Sequence, residues 1–293
     1  MKNKEFVHDS ELNLELQLMT EVMGLESLHY GYFTRTEENA TDLTAYEGLT
    51  LDQVKAAQGL YTQTLEEFFP QEVRKILDVG CGIGDNAKYF ASKGYEVTAI
   101  SPDANHGKFF DKTIENPRFI QTTIEGLNID DKFDLILMSE SQNYFAIEDG
   151  LSQANQYLRD GGFLVISGNF AKNGNGLYET MHSEPIYHRY AEKYGFQQIK
   201  RVDITPNILP TLHYTRGLIN NHLKPILEVM GGYFTREMPV RSKIAKLFLG
   251  GQINRVYDIL SYYDDFLEIH NYIEHVNYVR VMYQLNCNLA SLK

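Results

Sequence analysis

The sequence predicts an α/β fold built on a mainly parallel sheet, and three observations predict it. Between Val73 and Ile204 short apolar runs alternate with helical patterns, at a spacing that suits parallel strands covered on both faces. The first of those runs ends in a glycine-rich turn, Gly80-Cys81-Gly82-Ile83-Gly84. The chain is also long enough, at 293 residues with 43% hydrophobic, to bury a sizeable core.

The elements follow in order. Apolar residues at 12, 16, 19 and 23 favour a helix between Leu12 and Leu28, although Leu12, Leu14, Leu16 and Leu18 also alternate like a strand, and the polar stretch from Gly31 to Leu49 reads as a loop. A second helix runs from about Asp52 to Phe69 and is stopped by Pro70. Strands are expected at Ile76–Val79, Val97–Ile100, Phe119–Ile120, Phe133–Met138 and Phe163–Ile166. A helix from about Ser183 to Tyr194, stopped by Gly195, leads into a strand from Gln197 to Ile204. From Thr205 the alternation stops for about 70 residues, a length beyond ordinary connections. Within that stretch Ile253, Val256, Leu260, Tyr263, Leu267 and His270 trace one helix face. Val276–Leu285 is β-branched and aromatic enough to be a closing strand. These readings divide the chain into an N-terminal helical segment (1–70), an alternating core (71–205), a helical stretch (206–275) and the last strand (276–293). The pentapeptide Gly-Tyr-Phe-Thr-Arg occurs at 31–35 and at 232–236, which two copies leave as coincidence.

The charge narrows the function. Lys plus Arg number 27 and Asp plus Glu 39, a net −12 that disfavours nucleic acid and anionic lipid as partners. There is no run of about 18 apolar residues to insert in a membrane, and two cysteines, Cys81 and Cys287, fit a cytoplasmic protein without a disulfide framework. The histidines fall at poor spacings for a metal site, so none is expected. The sequence is compatible with a homodimer and does not specify one. The 20 Tyr and 16 Phe stand against no Trp, and many of the tyrosines lie outside the core segment.

The run Ile76-Leu77-Asp78-Val79-Gly80-Cys81-Gly82-Ile83-Gly84-Asp85 is a strand, a tight turn and a helix start. Its glycines let backbone approach a ligand. A dinucleotide loop would place its third glycine where Asp85 stands. Asp78 and Asp85 would repel a pyrophosphate and suit a ligand bearing an ammonium or sulfonium. Asp85 as a simple helix cap is the bland alternative.

This stretch resembles the first motif of the class I S-adenosylmethionine-dependent methyltransferases, small-molecule branch, over Val73 to about Ile204. The resemblance implies a Rossmann-like sheet of seven strands, mainly parallel with the last antiparallel, and helices on both faces. Segments 1–70 and 206–275 then become a helical cap over the substrate, the second as a lid insertion, and 71–205 becomes the cofactor-binding core. It also implies S-adenosylmethionine as cofactor, held by Asp78, Gly80, Cys81, Gly82 and Gly84 at the methionine end. Ser101 and Pro102 stand where many members carry an acidic ribose ligand, and Thr123, Ile124 and Glu125 match the stretch beside adenine. Ser139-Glu140-Ser141-Gln142-Asn143-Tyr144 looks like the family's loop facing the methyl group, with Tyr144 in a histidine's place. Leu28-His29-Tyr30-Gly31-Tyr32-Phe33 is similar to the segment that closes over the cofactor in the tocopherol, sterol and cyclopropane branches. Ser139 and Tyr32 are read as cofactor contacts.

Methyl transfer is an in-line displacement, so the protein must align the reactants, exclude water and accept a proton when the nucleophile carries one. Candidate bases are Glu140, His29 and His213, with Tyr32 and Tyr144 as orienting hydroxyls; Cys81 is assigned backbone contact only. The expected substrate is a small, apolar or aromatic metabolite methylated at O, N or C. A nicotinamide-dependent oxidoreductase and a non-catalytic cofactor-binding protein are the alternatives.

Overall fold

The computed structural model describes residues 14–34, 43, 46–111, 116–172 and 176–286. Seven strands form one sheet in the order β3-β2-β1-β4-β5-β7-β6. They are β1 (Lys75–Val79), β2 (Glu96–Ser101), β3 (Arg118–Gln121), β4 (Phe133–Ser139), β5 (Leu158–Ala171), β6 (Phe196–Asp203) and β7 (Val276–Leu285). All neighbours run parallel except β7, which is antiparallel to both β5 and β6. Strand order reverses between β1 and β4, so the loops after these two strands open side by side at the sheet's carboxyl edge, where α/β folds place ligands.

The helices are α1 (Leu14–Gln17), α2 (Leu51–Glu66), α3 (Asp85–Ser92), α4 (Ile147–Tyr157), α5 (Glu184–Lys193), α6 (Thr205–Leu218), α7 (Lys224–Glu237), α8 (Pro239–Phe266) and α9 (Ile269–His275). Tyr61 and Leu65 of α2, Phe90 of α3, Ile208 and Leu212 of α6 and Tyr272 of α9 bury one face of the sheet. Leu151 and Tyr157 of α4 and Tyr187 of α5 bury the other. The inner strands β1, β2, β4, β5 and β7 therefore have apolar cover on both sides, which is why they read as continuous apolar runs, while the edge strands β3 and β6 stay more exposed.

The N-terminal segment is pinned between α2 and α6. Tyr32 N–H donates to Ala57 O at 2.8 Å, Phe33 N–H to Asn207 O at 2.9 Å and Gly31 N–H to Thr211 Oγ1 at 3.0 Å. A Cβ on Gly31 would lie 2.7 Å from Ala57 Cβ, so only glycine lets the segment lie this close.

Several sequence expectations are corrected. The first helix is a single α turn that widens at Leu18–Val22 into a π turn; its expected start at Leu12, most of the 31–49 loop and Cys287 lie outside the described residues. The expected short strand Phe163–Ile166 extends to Leu158–Ala171, because β7 pairs it from Phe163 to Ala171 and Gly161, at φ 73°, turns the chain into register. The helix face from Ile253 to His270 is broken: buried Leu267 ends α8, and Glu268 starts α9 by accepting Asn271 N–H at 2.7 Å. Residues 31–34 are irregular and 232–236 are helical, so the repeated pentapeptide is no repeat of structure. Among the described residues no helix is long and apolar enough to cross a membrane, and no cluster of ligating side chains could hold a metal.

Candidate active site

The glycine loop leaves β1 with Gly80, Gly82 and Gly84 at φ 74°, 53° and 82°, all in the left-handed region that disfavours other residues. Space forbids a side chain as well. A Cβ on Gly80 would lie 2.4 Å from Ser141 Cβ, and one on Gly84 2.3 Å from the Phe110 ring. Gly80 and Cys81 N–H both donate to Ile100 O, which fastens the loop to the end of β2. Cys81 is buried, and burial pushes its thiol well above the ordinary range, so it presents backbone and no thiolate.

Asp78 is 1% exposed and its Oδ2 accepts no hydrogen bond from a described residue. Burial, with the Asp85 charge behind it, pushes its carboxyl up to about 8. Asp85 behaves oppositely. Burial favours its neutral form, but His29 holds the carboxyl below its usual range through an ion pair of 2.7 Å. His29 Nδ1 lies 2.8 Å from Tyr30 O, and its Nε2 meets Asp85. Both neighbours are acceptors, a setting that favours the charged ring; burial pulls its pKa down, and Asp85 raises it above the ordinary value. Stacking on Tyr61, with centroids 4.2 Å apart, completes the setting.

The loop after β4 turns at Glu140, whose φ of 58° is the one positive value among the described non-glycine residues. The turn holds because Glu140 N–H donates to Ser167 O at 2.8 Å and Glu140 Oε1 accepts from Tyr30 N–H at 3.1 Å and Tyr278 O–H at 2.6 Å. Burial raises the carboxyl, while His29, Tyr278 and Tyr30 pull the other way. Strain of about 1–3 kcal/mol kept at such a position is typical of functional turns.

The other sequence candidates lie on neighbouring loops and helices. Ser101, at the end of β2, is buried; its hydroxyl lies 2.8 Å from His106 Nδ1 and accepts Asp103 N–H at 3.3 Å. Asp103, missed by sequence reasoning, is the carboxylate of that loop, and Pro102 lies between the two. Thr123 Oγ1 accepts Gly126 N–H at 3.1 Å, Ile124 is buried and Glu125 is exposed. Ser139 Oγ lies 3.0 Å from Tyr61 Oη. Tyr32 lies under Arg280, and Tyr144 is 64% exposed at the rim. His213 falls on α6, half-buried. Sequence reasoning also missed Tyr61, Tyr278 and Arg280; a charged residue in the middle of the apolar strand Val276–Leu285 was the available signal for Arg280.

Residues 77–166 match the methyltransferase-domain family. That segment, which carries the glycine loop and the loop after β4, is a methyltransferase domain. An uncharacterised methyltransferase of Bacillus subtilis is 23% identical over 55% of the chain and 76% of its own length. The (S)-coclaurine N-methyltransferase of Papaver somniferum is 25% identical over 61% of the chain, which spans about half, 52%, of that protein. Among solved structures, the geranyl diphosphate C-methyltransferase of Streptomyces coelicolor superposes with TM-score 0.66 at 16% identity over 95% of both chains, a likeness of fold. The methyltransferase cofactor is S-adenosylmethionine, and two observations fit it to these residues. The unsatisfied buried oxygen of Asp78 calls for a cationic or hydrogen-donating partner, and the three glycines leave a cradle that any side chain would fill.

Proposed function

We propose that this methyltransferase acts on an O, N or C atom of a small, apolar or aromatic metabolite, in the cytoplasm and without nucleic acid as partner. The observation that carries the reading is Glu140. Its Oε1 is taken by two donors, its Oε2 accepts no hydrogen bond from a described residue, and it stands beside the glycine loop. A half-buried carboxylate with one free oxygen is suited to take a proton from an acceptor oxygen, amine or activated carbon. Bound cofactor supplies an electrophilic methyl group on sulfur. Asp78, Gly80, Gly82 and Gly84 would hold its methionine end, Ser101 and Asp103 its ribose, and Thr123, Ile124 and Glu125 its adenine. Tyr30 and Tyr32 would present ring faces to the acceptor, and the helices α6 to α9 would close over it as a lid. The relatives, by their names N- and C-methyltransferases, leave the acceptor atom open, so the panel that tests it must include all three kinds. His29 is engaged on both ring nitrogens by Tyr30 O and Asp85, so its proposed part is to hold the N-terminal segment against α3.

The test joins two measurements. Calorimetry with S-adenosylhomocysteine is expected to show one site per chain. Incubation with methyl-labelled cofactor and a panel of phenols, amines and alkenes is expected to yield a labelled product with at least one class. Glu140→Gln is expected to abolish that product while leaving S-adenosylhomocysteine affinity within about threefold. An unchanged product yield would remove Glu140 from the chemistry.

A further inference from the structure

Behind Glu140 runs a row of buried hydroxyls that ends on a buried cation. Tyr278 Oη donates to Glu140 Oε1 at 2.6 Å and lies 2.9 Å from Tyr61 Oη. Tyr61 Oη lies 2.7 Å from Ser167 Oγ, to which Arg280 Nε donates at 3.3 Å. Arg280 is 3% exposed, and its other donors go to Thr64 Oγ1 at 2.9 Å and Tyr61 O at 3.0 Å. Its guanidinium lies 4.6 Å from the centre of the Tyr61 ring. Among the described residues no carboxylate forms an ion pair with it. A buried cation without a contacting anion is costly unless something neutralises it. The nearest anion along the row is Glu140, reached through Ser167, Tyr61 and Tyr278. The row draws on β5, α2 and β7, which the fold alone brings together.

The hydrogen count fixes what each phenol can donate. Each phenol has one hydrogen. Tyr278 commits its hydrogen to the carboxylate, the strongest acceptor in reach. Tyr61 donates its own hydrogen to Ser167 Oγ, and Ser139 Oγ, 3.0 Å away, can supply Tyr61 in return. The hydrogen that reaches Glu140 Oε1 is that of Tyr278, whose oxygen lies 2.9 Å from Tyr61 Oη in the buried row. Oε1 is saturated, and Oε2 is left as the basic oxygen.

We infer that Tyr278, backed by Tyr61 and Arg280, is a positioning residue that selects Oε2 of Glu140 as the proton acceptor and keeps the carboxyl ionised despite its burial. The inference rests on the reading of Glu140 as base. It does not move a proton along the row: the proton taken from substrate stays on Glu140, and Arg280 stays charged. The other groups that face the carboxyl are His29 and Tyr30 from the N-terminal segment, Asp85 from α3 and Tyr272 from α9. Tyr61→Phe keeps the ring that stacks on His29, and Tyr278→Phe keeps the ring that packs against Tyr30, so each change removes only a hydroxyl.

The test needs no substrate. The Glu140 carboxyl is followed by carbon-13 NMR of glutamate-labelled protein across pH, assigned by its loss in Glu140→Gln. Tyr278→Phe is expected to raise the Glu140 pKa by about one unit, the usual effect of losing one donor to a carboxylate, and Tyr61→Phe by less in the same direction. S-adenosylhomocysteine affinity is expected to stay within about threefold in both, which shows that the site is intact. An unmoved Glu140 titration in a Tyr278→Phe protein that still binds S-adenosylhomocysteine overturns the inference. If that variant does not fold, an unmoved titration in Tyr61→Phe overturns it instead. The two readings fail separately, since an active Glu140→Gln removes the base and leaves the pKa coupling measurable.

Discussion

Asp78 and His29 are the two residues on which the glycine loop's charge balance turns, and they lead to different experiments. Asp78 is buried with an unsatisfied oxygen, and its carboxyl is pushed up to about 8. A cationic cofactor binds best to the ionised form, so below that pH each bound cofactor must first displace a proton. S-adenosylmethionine affinity is therefore expected to rise with pH, approaching tenfold per unit well below pH 8, and to level off above it. Calorimetry at several pH values checks this, and Asp78→Asn is expected to weaken binding and flatten the profile. His29 works through Asp85. Its removal leaves that carboxylate buried without its partner, a loss of about 3–5 kcal/mol for such pairs. His29→Ala should lower the urea midpoint accordingly, while the double variant His29→Ala, Asp85→Ala recovers part of the loss. Full additivity of the two single changes would count against the ion pair.

At the scale of elements, the loop after β1 and the loop after β4 are packed to the point that one methyl group separates a working junction from a broken one. A Cβ on Gly80 meets Ser141 Cβ at 2.4 Å, and φ of 74° adds backbone strain. Gly80→Ala is expected to cost about 1–3 kcal/mol in denaturant unfolding and to weaken S-adenosylhomocysteine binding at least tenfold, because Ser141 and the β4 loop must retreat together. Gly59 on α2 meets nothing within 4 Å, so Gly59→Ala serves as the contrasting change and should stabilise by several tenths of a kcal/mol. The same loop explains what the sequence disclosed. Strand, three glycines and helix start are consecutive, so local chemistry alone makes them legible. The row from Arg280 to Glu140 is not legible in that way, since Tyr61 and Tyr278 stand 217 residues apart and meet only because β7 inserts beside β5. The pentapeptide shared by 31–35 and 232–236 shows the same limit from the other side: packing against α2 and α6 holds its described residues 31–34 irregular, and α7 absorbs the second copy. The break at Leu267 was hidden because the spacing of apolar residues continues across it.

For the whole molecule these buried groups set a pH dependence whose sign can be worked out. Asp78 passes from an ordinary carboxylate in the unfolded chain to about 8 in the folded one. The stability it contributes is complete below about pH 4 and is lost as pH rises through 8. Glu140 and His29 are also raised on folding, so their contributions likewise fall with rising pH, that of His29 from about 6.5 upward. Asp85 and Asp264 are lowered, Asp264 to about 2, and their contributions are lost on acidification below about pH 4. The cofactor-free protein is therefore expected to be most stable at mildly acidic pH, with a Tm that declines steadily from about pH 5 to 9. Saturating S-adenosylmethionine should lessen that decline, because a cation beside Asp78 favours its ionised form in the folded state. Scanning calorimetry across pH, with and without cofactor, measures both slopes. Asp78→Asn supplies the decisive comparison: without cofactor it should melt higher than the parent at pH 8 and close to it at pH 4. Parallel profiles for the two proteins would mean that Asp78 titrates as an ordinary carboxylate and that the charge logic of the glycine loop is wrong.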